Sequence, residues 1–322
     1  MHFAVLIIAF VYIALRVARA YLLPPHELSG CAVIVTGASS GFGKALACRL
    51  HRMGCTVFAG CESTAAAKAL AAEFTGDETF RAIKLDVTSD DDVEHAVRLI
   101  HASNRPLWAL VNNAGISAFG WAEVLPVHRY AQNVEVNYLG AVRMTRAFLP
   151  MLRASRGRIC NIGSIGARMP SAFGSSYLPA KAAMLSYSEC TRQELFRHGV
   201  KVAYIEPGFF ATGLRDSASA NGASHAATLL ASSLGTGDKG EQRTLAYPSF
   251  DWHMEKVAGQ IQRCERLNGG IHGVTAVIDA AIDAIGSRIP LCRYTVGYDA
   301  ILIRYVLCWV PDRLLDAVAT YL

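Results

Sequence analysis

Cys31-Ala-Val-Ile-Val35 runs directly into Thr36-Gly-Ala-Ser-Ser-Gly-Phe-Gly43, and Lys44-Ala-Leu-Ala-Cys-Arg-Leu50 follows. The first segment is apolar and β-branched, as a buried strand is. The last has apolar residues at helical spacing. Between them the glycines let a backbone come close to a pyrophosphate, and the start of a helix offers free N–H groups with a partial positive charge. Strand, glycine turn and helix in this order are the context a dinucleotide site requires. The spacing is T-G-x-x-x-G-x-G, which differs from G-x-G-x-x-G.

Outward from this turn, strand candidates stand near 31–36, 55–60, 80–85, 107–112, 157–163, 200–205 and 291–296. Helical patterns separate them, notably around 89–103, 126–153 and 175–198. Strands alternating with helices predict an α/β domain with a doubly wound, Rossmann-type parallel sheet covered on both faces. At 322 residues, one such domain with appended helices is expected. No internal repeat is present.

The second chemical signal is Tyr177 with Lys181, four residues apart, and Ser164 thirteen residues before the tyrosine. On a helix, Tyr177 and Lys181 share a face. A free phenol, with a pKa near ~10, is a poor base at neutral pH, and a neighbouring ammonium favours the phenolate. A serine hydroxyl beside it can hold the reacting oxygen. This is a proton-transfer device for a carbonyl or alcohol. Taken alone, Y-x-x-x-K is also found on ordinary solvated helix faces; joined to the glycine turn it points to redox chemistry.

With these motifs the chain resembles the classical short-chain dehydrogenase/reductase family. Asn112-Asn-Ala-Gly115 matches its N-N-A-G, Asn137 its catalytic asparagine, and Ser164, Tyr177 and Lys181 its remaining catalytic residues. Pro207-Gly208 with Thr212 matches the P-G-x-x-x-T stretch that lies over the nicotinamide. The motifs keep family order from about residue 30 to 215. Gly163, where many members carry a second serine, is a local departure. Finer phrases, among them Phe58-Ala-Gly-Cys61, Val142-Arg-Met-Thr145 and Val202-Ala-Tyr-Ile-Glu-Pro-Gly208, are similar to the retinol, 17-beta-hydroxysteroid type 6 and D-3-hydroxybutyrate dehydrogenase branch.

The resemblance implies roles. Tyr177 is the acid–base, Lys181 lowers its pKa and holds the nicotinamide ribose, Ser164 positions the substrate oxygen, and Asn137 anchors a water. Gly37, Ser39, Ser40, Gly41, Phe42 and Gly43 would cradle the cofactor phosphates. Asp86 and Val87 would sit at the adenine, with a helix cap as the alternative for Asp86. Asn113, Ala114, Gly115, Pro207, Gly208 and Thr212 would complete the cofactor site. Glu62, at the end of the second strand, stands about where NADP-users place an arginine; a carboxylate there repels the extra phosphate and favours NAD. NADP remains the alternative, with Lys68 as a compensating base. No metal is required, and the histidines, His128 and His198 included, have no ligand spacing.

Substrate residues are Ser164, Arg168, Phe209 and Phe210. The aromatic pair and an apolar C-terminal half point to a lipophilic alcohol of retinoid, steroid or ecdysteroid-precursor type. Arg168 is a candidate cation for a small hydroxy acid, or a structural residue. Residues 216–245, rich in Ser, Ala and Gly, are expected to form a substrate lid or a surface insertion. Two other functions stay open: a mitochondrial D-3-hydroxybutyrate dehydrogenase-like enzyme, and a non-catalytic dinucleotide-binding membrane scaffold.

Composition adds a location. A net charge of +5 with 18% charged residues, and no basic block interleaved with aromatics, argues against nucleic acid. Nine cysteines without C-x-x-C spacing read as reduced thiols facing cytosol or matrix. Phe3 to Leu15 is unbroken apolar sequence that continues to Leu23 past Arg16 and Arg19, before Pro24-Pro25. Residues 1–23 are expected to be a membrane anchor, with residues 28–322 forming the dehydrogenase/reductase domain. The arginines after the run place that domain in the cytosol, at the endoplasmic reticulum; a mitochondrial presequence or a cleaved signal are the alternatives. Residues 298–322 form an apolar C-terminal extension, either a core cap or a second bilayer contact. The oligomeric state is left open, a homodimer included.

Overall fold

A seven-stranded parallel sheet of order β3-β2-β1-β4-β5-β6-β7 organises the protein. The computed structural model describes residues 25–120, 122, 125–210, 262, 263, 265–268, 273–306 and 310. The strands are β1 (Ala32–Val35), β2 (Thr56–Cys61), β3 (Phe80–Lys84), β4 (Leu107–Asn112), β5 (Arg158–Ile162), β6 (Lys201–Pro207) and β7 (Arg293–Val296). The helices are α1 (Gly41–Arg52), α2 (Thr64–Ala72), α3 (Asp90–Ala102), α4 (Val127–Val134), α5 (Gly140–Ser155), α6 (Tyr177–Leu195), α7 (Val274–Gly286) and α8 (Tyr298–Tyr305).

Strand alternation divides the core. In β1, Val33 and Val35 face one layer while Ala32 and Ile34 face the other. The first layer packs Leu46 and Leu50 of α1 with Val277, Ala281 and Ile285 of α7. The second packs Val93 and Ile100 of α3 with Met144, Phe148 and Leu152 of α5. Both faces of β1 and β2 are covered, so these strands are buried throughout and, Thr56 apart, carry no polar side chain. Each fully buried Leu or Phe contributes roughly 1.5–3 kcal/mol by removal from water, which is what the continuous apolar runs supply.

All seven expected strands are present within about two residues of their expected bounds. The helical pattern over 126–153 is not one helix. It comprises α4, a π turn at Glu135–Leu139, and α5. The π turn is where Asn137 bonds sideways to the chain at Ile116, and Gly140 then lets α5 press on Val87, where a Cβ would lie 2.6 Å from the valine methyl.

Chain order reverses between β1 and β4, which lie side by side. The crevice beyond their carboxyl ends is where such sheets bind ligands. On α8, Ala300 and Ile303 pack on Ile165, so this part of the C-terminal extension caps the core beside the Ser164 turn. Tyr298, Ile301, Leu302 and Tyr305 on its other side are exposed.

The expected anchor, the expected lid at 216–245 and Thr212 lie outside the described residues. No helix among the described residues is long and apolar enough to cross a membrane. The seven described cysteines are all free thiols, and Cys55, Cys61 and Cys160 are buried. Among the described residues there is no group of three or more potential metal ligands.

Candidate active site

The glycine turn has a shape that suits a phosphate. Gly37 and Gly41 have φ of 63° and 54°, a left-handed conformation that glycine adopts without strain. A Cβ on Gly43 would lie 2.2 Å from the Gly37 carbonyl oxygen, so only glycine lets α1 begin this close to the turn. Ser40 caps α1 but makes no capping bond with its side chain, and the first turn of α1 carries no acidic residue. Its N–H groups and positive end therefore face the crevice without a carboxylate of their own, which suits a pyrophosphate. Phe42 packs edge-on to Phe210, with centroids 5.9 Å apart.

Thr36 ties the turn to β4. Its main-chain N–H donates to the Val111 carbonyl at 3.0 Å. Its hydroxyl accepts from the N–H groups of Asn113 (3.0 Å) and Ala114 (2.9 Å). The Asn113 amide donates to the carbonyls of Thr36 and Gly37 at 2.9 and 3.1 Å. Asn113 thus fixes the turn from beneath. Ala38 N–H donates to the Gly60 carbonyl at 2.8 Å, which brings the end of β2, with exposed Glu62 just beyond it, alongside the turn. Ser39 is exposed in the same turn. Asp86 accepts from the N–H and hydroxyl of Thr88 through Oδ1 at 2.9 and 2.7 Å, a local turn of the kind the cap alternative expects. Val87 is buried behind it.

Asn137, Ser164, Tyr177 and Lys181 come from three separate segments. The π turn supplies Asn137, the loop after β5 supplies Ser164, and the first two turns of α6 supply the pair. Tyr177 and Lys181 are both buried. Lys181 Nζ lies 5.7 Å from the Tyr177 ring centroid and donates to the Ile162 carbonyl at 3.1 Å. Burial pushes the Tyr177 phenol well above its ordinary value, and a hydrogen bond with the Ser164 side chain acts against that. Burial also lowers Lys181, to about 8. In this protein alone, then, both groups are held toward neutrality, and the lysine is poised to change charge close to physiological pH. Ser164 Oγ also accepts from Gly166 N–H at 3.1 Å, which orients it.

Asn137 donates to the Ile116 carbonyl (2.9 Å) and to Asn133 Oδ1 (3.0 Å), and accepts from Ile116 N–H (3.2 Å). Gly115 sits between it and the lysine: a Cβ there would lie 2.7 Å from Asn137 Oδ1 and 3.6 Å from Lys181 Nζ. That contact explains why a glycine ends the Asn112–Gly115 motif.

Beyond β6, Pro207 ends the strand and Gly208 donates to the Val296 carbonyl at 2.8 Å. Asp299 Oδ2 accepts from Phe209 N–H at 2.7 Å, and Asp299 Oδ1 accepts from Asn268, so the start of α8 clamps the loop. Phe209 is largely exposed, whereas Phe210 is buried with the first core layer. Arg168 Nε donates to Glu206 Oε1 at 2.8 Å. Glu206 is fully buried on β6 and also binds Arg304 at 2.9 Å through Oε2. Arg168 Nη2 is buried with no partner.

One site residue escaped the sequence reading. The Phe119 ring lies 5.5 Å from that of Tyr177, in a loop pinned by the Gly120 N–H to Phe173 carbonyl bond. Its segment, Ile116–Gly120, is similar to the hydroxybutyrate member of the branch, but it belongs to no periodic element, so nothing gave Phe119 a place at the site.

Residues 31–222 match the family model described as short chain dehydrogenase. The chain belongs to the short-chain dehydrogenase family. It is 36% identical to mouse (Mus musculus) retinol dehydrogenase 16 over 88% of this chain and 86% of that one. It is 40% identical to mouse mitochondrial D-beta-hydroxybutyrate dehydrogenase, over 60% of this chain and only 58% of the relative. Among solved structures, a short-chain dehydrogenase from Streptomyces avermitilis is 29% identical with a TM-score of 0.64, covering 91% of this chain and 95% of that one. A 3-ketoacyl-(acyl-carrier-protein) reductase from Brucella melitensis, complexed with NADH, is 28% identical with a TM-score of 0.56, over 59% of this chain and 80% of that one. The residues that form the cradle here are of the kind that hold such a dinucleotide.

Proposed function

We propose that this short-chain dehydrogenase oxidises, and in reverse reduces, a lipophilic alcohol–carbonyl pair with NAD. The observation that carries the reading is the cluster of half-buried Ser164 with buried Tyr177 and Lys181, at the same end of the sheet as the start of α1, where the Ser40 side chain makes no capping bond. The dinucleotide, when bound, supplies the hydride acceptor. Ser164 Oγ holds the substrate oxygen, as an oxyanion-hole donor would. Tyr177 Oη takes the hydroxyl proton as the C–H electron pair leaves the carbon, and a carbonyl remains. Charged Lys181 stabilises the phenolate against its burial. Asn137 holds the Ile116 loop in place beside the lysine.

Glu62, exposed just beyond β2, supports NAD, because its carboxylate would repel the extra ribose phosphate of NADP. Phe119 against Tyr177 and exposed Phe209 support an apolar substrate. Engagement of Arg168 by Glu206 removes most of its value as a carboxylate anchor. The N-terminal run at 3–23 supports a membrane anchor, consistent with such substrates.

A second reading, oxidation of a small hydroxy acid, has one observation in its favour: unpartnered Nη2 of Arg168. The test is NADH formation by the purified protein with all-trans-retinol, 3α- and 17β-hydroxysteroids, a 3β-hydroxysterol and D-3-hydroxybutyrate. Turnover of a lipophilic alcohol supports the first reading. Turnover of hydroxybutyrate alone replaces it with the second, and no turnover with any of them, in a protein that binds NADH, favours the scaffold.

A further inference from the structure

The end of the sheet opposite the catalytic crevice carries exposed positive charge and exposed large apolar side chains together. Lys201 starts β6 beside Arg158 of β5, and its ammonium is bonded to the Arg288 carbonyl. Arg156, in the turn before β5, packs its stem on Gly199, where a Cβ would lie 3.2 Å from it. Gly199 in turn bonds the Phe196 carbonyl. Phe196 is 79% exposed and Ile289, next to Arg288, is 55% exposed. Arg197 and Arg156 are exposed beside them. Arg158 underneath is a buried cation whose hydrogen bonds all go to main-chain carbonyls of Arg156, Gly157 and Ser287. His26 feels this crowding: burial, then Arg158, Arg288 and Lys201, hold its pKa below the ordinary value. Acidic residues stand in the neighbouring segments too: Glu27 next to His26, Glu194 two before Phe196, and Asp283, whose carboxylate accepts from the Tyr294 hydroxyl and whose carbonyl accepts from Ser287 N–H.

The chain enters the domain on this same face. His26 N–H donates to the Gly286 carbonyl at 2.7 Å, and the His26 ring lies 4.8 Å from that of Trp108. Only Pro24 and Pro25 separate His26 from the apolar run that ends at Leu23. From Leu23 to His26 the chain spans at most about 11 Å. A membrane that held the run would therefore keep this face near it.

We propose that Phe196 and Ile289, ringed by Arg156, Arg197, Lys201 and Arg288, dock this end of the domain on an anionic lipid surface. Phenylalanine and isoleucine enter the headgroup boundary while the cations meet anionic headgroups. Docking leaves the crevice pointing away from the bilayer. The orientation rests on the membrane-anchor reading above; the docking itself does not.

The full chain is mixed with vesicles of phosphatidylcholine alone or with about 30 mol% phosphatidylserine, and amide hydrogen exchange is followed. Peptides covering 194–201 and 286–291 are expected to exchange at least about fivefold more slowly with the anionic vesicles, and to regain their rate in about 0.5 M salt. The double variants Arg156→Glu/Arg197→Glu and Phe196→Ser/Ile289→Ser should lose that protection, with exchange elsewhere in the domain unchanged. Unaltered exchange at both peptides in vesicle-bound protein overturns the docking, whatever the fate of the anchor. Protection confined to 298–306 overturns it by placing lipid at the other end of the sheet. Protection without vesicles that grows with protein concentration overturns it in favour of a second copy of the chain. Carbonate extraction of the same vesicles reports the anchor separately: release of protein whose two peptides had been protected removes the anchor and keeps the docking.

Discussion

The ring of Tyr204 fills the place that a side chain on Gly163 would take. A Cβ there would lie 1.9 Å from Tyr204 Cζ and 2.1 Å from its hydroxyl oxygen. That hydroxyl accepts from Ser164 N–H at 3.3 Å and donates to the Lys181 carbonyl at 3.2 Å. One buried side chain on β6 therefore links the backbones of two of the proposed catalytic residues, in space left by the absence of a side chain at Gly163.

Tyr204→Phe keeps the ring and removes the link. Its stability should fall by about 1 kcal/mol, the net value of a buried hydrogen bond. Its kcat should fall about tenfold through misplaced Ser164, with the dinucleotide KM nearly unchanged. Gly163→Ser should be worse, because it overpacks a rigid ring by about 1–3 kcal/mol. Adding Tyr204→Ala to Gly163→Ser should recover part of that loss in urea unfolding. A Gly163→Ser protein as stable as the parent would contradict the contact.

Tyr177→Phe separates catalysis from binding. The substitution removes one hydroxyl from a buried ring and leaves the cradle at α1 intact, so NADH binding by fluorescence should be preserved. Turnover should drop by about 10²-fold or more, the contribution of a positioned acid–base. Lys181→Met should lower turnover as well and also weaken NADH binding. Equal losses of binding in both variants would mean that Tyr177 has no separate chemical role.

The buried lysine also sets a pH dependence of stability. Its folded value of about 8 lies below the ordinary 10.5, so the folded state binds fewer protons than the unfolded one between those values. Stability from this group is accordingly lowest below pH 8 and rises as pH climbs toward 10.5. A displacement of this size corresponds to a cost on the order of 3 kcal/mol at neutral pH. Buried Cys55, raised to about 11, and Cys160, raised to about 12, act oppositely, since their unfolded thiols ionise first. The difference between parent and Lys181→Met isolates the lysine: the variant should be more stable at pH 7, with the gap narrowing by pH 9. A gap independent of pH would show that the lysine is not held in this way.

Glu62→Arg should move preference from NAD toward NADP. It replaces repulsion of a ribose phosphate by attraction at an exposed position just beyond β2, with little effect on folding. The ratio of kcat/KM for the two cofactors reads this directly. An unchanged ratio would mean that Glu62 faces away from the ribose.

The frame and the pairing of Tyr177 with Lys181 were legible because each rests on local pattern. Ala32–Val35 is apolar on both faces, as a central parallel strand must be, and Tyr177 and Lys181 share a helix face whatever packs around them. What was not legible depends on contacts between distant segments. The π turn at Asn137 follows from its bonds to Ile116, and nothing in Val134–Gly140 itself breaks a helix. Phe119 reaches Tyr177 from a loop, Phe210 turns to the core to meet Phe42, and Asn113 serves the glycine turn from beneath. Arg168 could be seen as a candidate cation, but its partner Glu206 lies 38 positions away and only the fold unites them.

That partnership makes the last prediction. Glu206 is fully buried between Arg168 and Arg304, with the Thr295 hydroxyl donating to Oε2 at 2.9 Å. Glu206→Gln leaves two guanidinium groups without their counter-charge, and losses of about 3–5 kcal/mol are usual when one member of a buried pair is removed. Because the network joins the Ser164 turn, β6 and α8, the variant should also lose turnover. Arg168→Met removes only one partner, while Arg304 and Thr295 keep Oε2 satisfied, so its stability loss should be smaller. If Arg168 serves structure alone, its loss should lower kcat for every substrate in proportion. A rise in KM confined to D-3-hydroxybutyrate would instead assign the unpartnered Nη2 to a substrate carboxylate and shift the proposed substrate to a hydroxy acid.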